Sequence, residues 1–443
     1  MKLRSHNGFI TRLWRRMYLI RVLKEKWGGN INGLISEKIY LVIGNITSPN
    51  LGLKDSYLLR EMKDQIEIIV NLAATTKFDE RYVVAFGTNT LGAKHLLNFA
   101  KQCSKLEVVV HVSTAYVSGE KEGIIEEIPY KMGESLNGTI GLNIEEEQKL
   151  VEETLNKLIS KGATQQTISL TMKQLGLQRA KLYGWPNAYV FTKAMGEMII
   201  NDLKDHIPLV IIRPAIITST YRQPFPGWME GMRIIDTIAI GYGKGTITFL
   251  PFGFHSIFDA IPADMVVNAM IMTMIVHARE GKPCHVIYHV GSSRRNGIKY
   301  GDLTGFLEKY FVEKPWINRD GKAIKVRKTK IFNNMVTFGR YMAIRYSFLL
   351  KGLKVSNIML CHWFQEKYDQ HKKKYNHMMR LVQLYRPYLF FKATFDDTNT
   401  ERLRRTTRNL DLEETFYFDP TVINWKDYFF DIHIPGLVKY VIK

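Results

Sequence analysis

Val110-His111-Val112-Ser113-Thr114-Ala115-Tyr116 and, further on, Tyr189-Val190-Phe191-Thr192-Lys193 decide how this chain folds and what it does. The first is a β-branched run ending in two hydroxyl side chains. The second sets a phenol and an amine at i and i+4, which share one face of a helix. An ammonium beside a phenol is expected to draw its pKa down from ~10 towards neutrality, so that Tyr189 can exchange a proton with a carbonyl oxygen. Lys193 could also hydrogen-bond a ribose. Spacing alone says little: of 22 tyrosines, Tyr189, Tyr310, Tyr368 and Tyr388 all have Lys at i+4. Only Tyr189 has the right neighbourhood, so substitutions of the other three are expected to do little.

That neighbourhood is a set of strand ends. Ser113 and Thr114 follow a buried strand, where ligands of open α/β sheets bind and where a hydroxyl can stabilise an oxyanion. Ala73 and Ala74 follow another run, Ile66 to Val70, and are small enough for a flat cofactor to lie against the backbone. Pro214, Ala215 and the stretch through Ile217 follow Leu209 to Ile212 and could line a nicotinamide pocket. Each feature alone reads equally as a turn or as close packing; their order along the chain gives them weight.

Further apolar runs at Ile39 to Ile43 and Val286 to Val290 complete a set of strands that read as buried on both faces. Helical patterns at Tyr82 to Cys103 and Asn187 to Lys204 lie between them. The alternation predicts an α/β, doubly wound, Rossmann-like parallel sheet over residues 1–300, with an insertion at about 120–185 that carries an acidic amphipathic helix, Ile144 to Leu158. Residues 301–443 read as a smaller, mostly helical C-terminal domain. Met265 to Ala278 reads as a buried core helix, and no run reaches the ~18 apolar residues of a membrane span.

Composition narrows the class. Hydrophobic content of 46% and 23% charged residues describe a globular chain. Cys103, Cys284 and Cys361 are too scattered for a disulfide framework or a metal site, so no metal is expected. Of the net charge of +20, most falls between Lys314 and Arg408, which holds 22 Lys/Arg against 6 Asp/Glu. Such a region attracts anionic lipid, phosphorylated substrate or nucleic acid. No zinc-finger or aromatic RNA-binding signature accompanies it, and nucleic acid is set aside. The N-terminus, basic through Arg12, Arg15, Arg16 and Arg21, leaves a plastid transit peptide open.

Taken in order, Asn71-Leu72-Ala73-Ala74-Thr75-Thr76-Lys77-Phe78-Asp79-Glu80, Asn89-Thr90-Leu91-Gly92, His111 to Val117, Tyr189 with Lys193, Arg213-Pro214 and Pro226-Gly227-Trp228 resemble the fatty acyl-CoA reductases, nearest the plant branch. The likeness begins at about Met17 and ends with Phe416-Tyr417-Phe418-Asp419-Pro420 and Ile423 to Tyr428. It implies an extended short-chain dehydrogenase that reduces long-chain acyl-CoA with NADPH, through an aldehyde, to a primary fatty alcohol. Tyr189, Lys193, Ser113 and Thr114 would be catalytic. Asn45, Ile46, Ala73, Ala74, Asn89, Tyr189, Lys193, Pro214, Ala215 and Ile217 would meet the cofactor. A cytoplasmic or endoplasmic-reticulum-associated enzyme, with peripheral membrane association, goes with this reading.

Two departures stand out. The family's first strand and glycine-rich turn, which hold the pyrophosphate, are missing, and neither Gly28-Gly29 nor Gly241 to Gly245 follows a strand and opens a helix. Asn45 stands where the family usually carries Asp. These departures lead to the expectation of weak NADPH binding by the chain as written. They also keep open a catalytically silent paralogue that binds acyl-CoA or a partner, and behind it a sugar-nucleotide or steroid dehydrogenase.

Overall fold

The computed structural model describes residues 37–280, 284–318, 320–359, 363 and 365–441, with isolated positions before 37. The basic N-terminal segment, the start of the family likeness at Met17 and Cys361 lie outside the described residues. The chain divides into two compact units, Met1–Asn45 and Ile46–Lys443. In the first, Ile39 to Ile43 departs from expectation. Among the described residues it pairs with no strand, and Ile39, Tyr40, Leu41 and Ile43 are exposed. An apolar run becomes a buried strand only where a ladder partner and two covering layers exist, and the described residues supply neither.

The other strand readings hold. The strands that frame the second unit are β1 (Ile68–Asn71), β2 (Val108–Val112), β3 (Glu122–Ile125), β4 (Leu209–Pro214), β5 (His285–Val290) and β6 (Lys392–Phe395). β1, β2, β4 and β5 form one parallel sheet in that order, with Ile69 opposite Val109, Val110 opposite Val210 and Ile211 opposite Ile287. Strand residues alternate between two apolar layers. Val109, Ile211 and Ile287 pack with Ala93, Leu96, Leu97 and Ile200 on one side. Val108, Val110, Val210 and Ile212 pack with Met265, Val266, Ala269 and Met272 on the other. Both faces are covered, which is why these runs read as continuously apolar.

The covering helices follow from local signals. Helix α1 comprises Tyr82–Ala85, a π turn Phe86–Leu91 and Gly92–Ala100. The insertion folds into α2 (Ile144–Ser160) and α3 (Gln165–Leu182). Asn143 caps α2, and Glu145, Glu146 and Glu147 sit in its first turn, where the helix dipole favours anions. Asn187 caps α4 (Ala188–Leu203) by accepting from the Val190 amide at 3.2 Å. Beyond come α5 (Ile234–Gly243), α6 (Ala263–Glu280), α7 (Phe348–Met359), α8 (Gln365–Leu389) and α9 (Thr398–Asn409).

The parts on either side of residue 300 interleave. β6 pairs in parallel with β3, Phe395 opposite Ile125. Leu403 of α9 joins the same apolar layer as α6. Glu127, just past β3, accepts from the His289 amide at 2.8 Å and from the Asn399 amide at 2.6 Å, tying β5 to the start of α9.

Two outcomes follow. A methyl on Gly196 of α4 would run into the backbone carbonyl of Asn89 in α1, so Gly196→Ala should lower stability by about 1–3 kcal/mol, the range for overpacking; an unchanged denaturation midpoint would show that the helices can separate freely. Burial pushes the Glu127 carboxyl up to about 7. A carboxyl raised in the folded state lends stability that is full below its unfolded pKa of ~4.3 and lost as pH rises through the folded value. Wild type should therefore lose ground to Glu127→Gln between those two pH values, read as the gap between their urea midpoints. A pH-independent gap would count against it.

Candidate active site

The carboxyl ends of β2 and β4 and the first turns of α4 converge on a cavity of about 570 Å3. Thr114, Tyr189, Ala215 and Ile217 line it, joined by Phe78, Tyr116, Ile216, Ile235, Phe258, Tyr300, Tyr385 and Tyr388. One end is polar, where the Tyr189 and Thr114 hydroxyls lie. The body is aromatic and aliphatic. Lys77 and Arg233, both exposed, also line it.

Tyr189 lies stacked on Phe78, ring centroids 5.7 Å apart. Its hydroxyl does not have the lowered pKa that the Lys193 spacing suggested. Loss of solvation pushes it up to about 12, and the hydrogen bond with Thr114 only partly offsets this. Lys193 is buried and turned to the backbone, donating to the Val112 carbonyl at 2.7 Å. Burial pushes its amine down to about 8, with Glu197 opposing. A tyrosine so raised stays protonated at neutral pH, which suits a proton donor better than a base.

His111 is the lysine's other polar neighbour. Asn71 accepts from the Ala73 amide through Oδ1 at 3.2 Å, so its Nδ2 faces His111 Nδ1 at 3.0 Å and donates there. The imidazole proton is then on Nε2, 3.4 Å from Lys193 Nζ. The bond that Nζ makes is therefore the one to the Val112 carbonyl.

The remaining expected residues fall into groups. Ser113 is buried and its Oγ has no hydrogen-bond partner among the described residues, leaving an unspent donor at the end of β2. Ala73 and Ala74 are exposed at the end of β1. Pro214 ends β4 and is buried. Ile46 is half-buried and packs with the α1 face of the sheet. Asn45 is exposed and belongs to the other unit. Asn89 makes side-chain hydrogen bonds within the protein. It is buried, accepts from the Thr75 amide at 3.0 Å, and donates to the Thr75 carbonyl at 3.1 Å and to Thr192 Oγ1 at 3.0 Å. Its amide holds the loop after β1 in place.

The small side chains at three strand ends and the free Ser113 hydroxyl fit a flat nicotinamide with its ribose. A strand followed by a glycine-rich turn and a helix N-terminus is absent among the described residues. Gly241 to Gly245 does not substitute. It closes α5 at the helix end that repels phosphate, and Gly243 faces Phe311 too closely for any side chain.

Tyr388 is the residue that sequence reasoning set aside and the fold brings in. Its hydroxyl accepts from Asn187 Nδ2 at 2.9 Å, and its ring stacks on Phe78 with centroids 4.8 Å apart. Its i+4 lysine, Lys392, pairs instead with Glu122 at 2.7 Å. Lys314 and Lys372 lie over the rings of Tyr310 and Tyr368. No local signal marks Tyr388, because its place depends on α8 returning to the sheet.

A parallel sheet with this tyrosine and lysine at its carboxyl edge defines an NAD(P)-dependent reductase of the extended short-chain dehydrogenase type. The family models agree: NAD-binding, male sterility protein, over residues 8–270, and Sterile, male sterility protein, over 352–443. The chain is 50% identical over 426 residues to the alcohol-forming fatty acyl-CoA reductase of Simmondsia chinensis, covering 96% of this chain and 86% of that one. It is 47% identical over 428 residues to fatty acyl-CoA reductase 1 of Arabidopsis thaliana, covering 96% and 87%. The chain belongs to the plant-type fatty acyl-CoA reductase family, a family of enzymes. Among solved structures, the terminal R domain of the myxalamid PKS-NRPS pathway aligns at TM-score 0.52 and 13% identity, covering 92% of this chain and 76% of that one. The R domain of a nonribosomal peptide synthetase from Mycobacterium tuberculosis gives 0.51 and 16%, covering 95% and 79%. At such identities these share the fold.

Proposed function

We propose that this protein reduces long-chain fatty acyl-CoA with NADPH to a primary fatty alcohol, the alcohol class found in waxes. The observation that carries the reading is the hydroxyl pair Tyr189 and Thr114 at the polar end of an otherwise apolar cavity, in a member of this family. When bound, the reduced nicotinamide supplies the hydride. The apolar walls, Ile216, Ile235, Phe258 and Tyr300, take the acyl chain and keep water out. Lys77 and Arg233 meet the phosphates of coenzyme A. Thr114 and Ser113 donate to the carbonyl oxygen as it gains negative charge, and Tyr189 gives it a proton. The hemithioacetal so formed expels the thiol and becomes an aldehyde, which passes through the same proton transfer in a second reduction. Lys193 as ammonium is the ribose donor. Ala73, Ala74, Pro214, Ala215 and Ile217 pack against the cofactor, and Asn89 fixes the loop they share. A cytoplasmic enzyme held at a membrane such as the endoplasmic reticulum suits a substrate whose acyl chain partitions into lipid.

Product analysis tests this directly. The purified chain with long-chain acyl-CoA should form primary alcohol with NADPH and far less with NADH. Tyr189→Phe should lose about 10²–10⁴-fold in turnover, the worth of a positioned general acid, with its circular dichroism and acyl-CoA affinity retained. Saturable acyl-CoA binding without any alcohol would instead favour the silent paralogue.

A pH profile checks the lysine. An amine pushed down to about 8 is an ammonium below that value and loses its proton above it. Activity that needs the ammonium should therefore fall as pH rises through 8. A profile flat through that value would remove Lys193 from ribose binding.

A further inference from the structure

We propose that the outward face of α7, with the basic chain around it, is a docking surface for an anionic lipid bilayer. This deepens the membrane-bound reading above by naming the surface and its chemistry.

Helix α7 is amphipathic in an unusual sense. It turns Leu350, Leu353 and Asn357 inward, at helical spacing, and Asn357 is buried and bonded to Gln365 at 2.6 Å. Its outward positions are Phe348, Lys351, Val355, Ile358 and Met359, with Leu349 beside them. Apolar side chains dominate the face that ought to be polar. Phe348 is 63% exposed, Met359 77% and, just beyond the helix, Trp363 83%. Ile140, the most exposed large apolar residue among those described, stands in a loop. Here the residues are contiguous along one helix, which marks an interaction surface.

Charge decides the partner. Between Asp320 and Glu366 there is no Asp or Glu, while Lys322, Lys325, Arg327, Lys328, Lys330, Arg340, Arg345, Lys351 and Lys354 fall in that interval. Lys351 and Lys354 flank the apolar residues on α7 itself. An apolar stripe with Lys351 and Lys354 beside it, in a segment rich in cations, fits the boundary between acyl chains and anionic headgroups, where the stripe inserts and the lysines reach phosphates. A protein partner would need a matching apolar patch with acidic neighbours; on this chain Ile124 and Ile128, exposed beside Glu120, Glu122 and Glu126, are such a patch, so pairing with a second copy is the outcome the test has to separate from lipid. No described helix is long and apolar enough to cross a membrane, so the contact lies in the interface plane.

The fold links this surface to chemistry. Helix α8 follows α7 and runs 25 residues, about 37 Å at 1.5 Å per residue. Its far end carries Leu384, Tyr385, Tyr388 and Leu389 into the cavity wall. A bilayer docked on α7 therefore holds the cavity at a fixed offset from the lipid that stores acyl chains.

Vesicle flotation with the full chain, without acyl-CoA or NADPH, tests the surface apart from turnover. The chain should float with vesicles of phosphatidylcholine plus phosphatidylserine, and weakly with phosphatidylcholine alone. Raising salt should weaken it, since screening at 0.1 M shortens electrostatic reach to ~10 Å. The variant Phe348→Asn, Val355→Asn, Met359→Asn should bind at least tenfold less, with unchanged circular dichroism. Lys351→Ala with Lys354→Ala should lose the serine-lipid preference. Equal flotation by the triple variant would overturn the proposal. So would absence of vesicle binding together with a dimer that the same triple substitution dissolves, because the face would then be a protein interface. Flotation that follows these variants in a chain inactive on acyl-CoA would leave the surface standing and remove the reductase reading alone.

Discussion

Everything at the site hangs on how closely α4 lies on the π turn of α1. Gly196 admits the Asn89 carbonyl, and next to that contact Thr90 donates to the Thr192 carbonyl at 2.8 Å while Asn89 donates to the Thr192 hydroxyl. The π turn frees Asn89 to reach back to Thr75 with both groups of its amide. One packed crossing thus fixes the loop after β1 and the register of α4, and through α4 the positions of Tyr189 and Lys193 over the sheet. π turns inside helices commonly sit at functional sites because they displace one residue from the regular ladder. Here the displaced region is Phe86 to Leu91, and the gain is a buried amide that braces two elements at once.

A second brace comes from the far end of the chain. His433 bridges Asp236 and Ser219, at 3.0 Å on each side, and the Tyr428 hydroxyl donates to the Ser219 carbonyl at 2.7 Å. The serine–histidine–aspartate sequence of contacts has the outline of a hydrolytic triad, but all three residues are buried and the Tyr428 hydroxyl lies 3.1 Å from the serine hydroxyl. Its effect is structural. Asp236 also accepts from the Arg233 amide at 2.7 Å, which sets the start of α5, and Arg233 in turn donates to the Ile217 carbonyl at 2.8 Å. The C-terminal turn therefore positions one wall of the cavity. Gly227 and Gly436 meet backbone to backbone nearby, closer than a side chain would permit, and this gives the Pro226-Gly227-Trp228 motif a packing reason.

How much of this could be read from sequence follows the range of the interactions. The strands β1, β2, β4 and β5 were legible because burial on both faces leaves unbroken apolar runs, and the order of the motifs followed from the topology those runs impose. Helices α2 and α4 were legible from the spacing of their apolar residues. Ile39 to Ile43 shows the limit of the same signal: its composition is that of a strand, and composition cannot say whether a partner strand is present. Tyr385 and Glu127 left no trace, and Tyr388 showed only a lysine spacing unrelated to its place, since each takes its role from β6 pairing with β3 or from α8 returning to the sheet. Such contacts join residues far apart in sequence. Asn89 was legible as part of a motif but not as a brace, because only coordinates show that its amide is spent.

The environments of Tyr189 and Lys193 also separate two ideas that spacing had merged. A lysine that lowers its tyrosine neighbour's pKa makes a better base; a reduction that ends in an alcohol needs an acid. Burial raises Tyr189 and keeps its proton, and the oxygen left by reduction of a carbonyl is basic enough to take it. Burial lowers Lys193, and the Val112 carbonyl fixes the amine to the sheet. The same physical cause, loss of solvent, thus keeps the phenol neutral and weakens the ammonium. Both shifts weaken the tendency of these groups to carry charge, although below about 8 Lys193 is still an ammonium. At this end of the cavity the neutral hydroxyl donors are Tyr189, Thr114 and the unpartnered Ser113. Such donors stabilise the charge as it develops without holding a competing charge in the ground state.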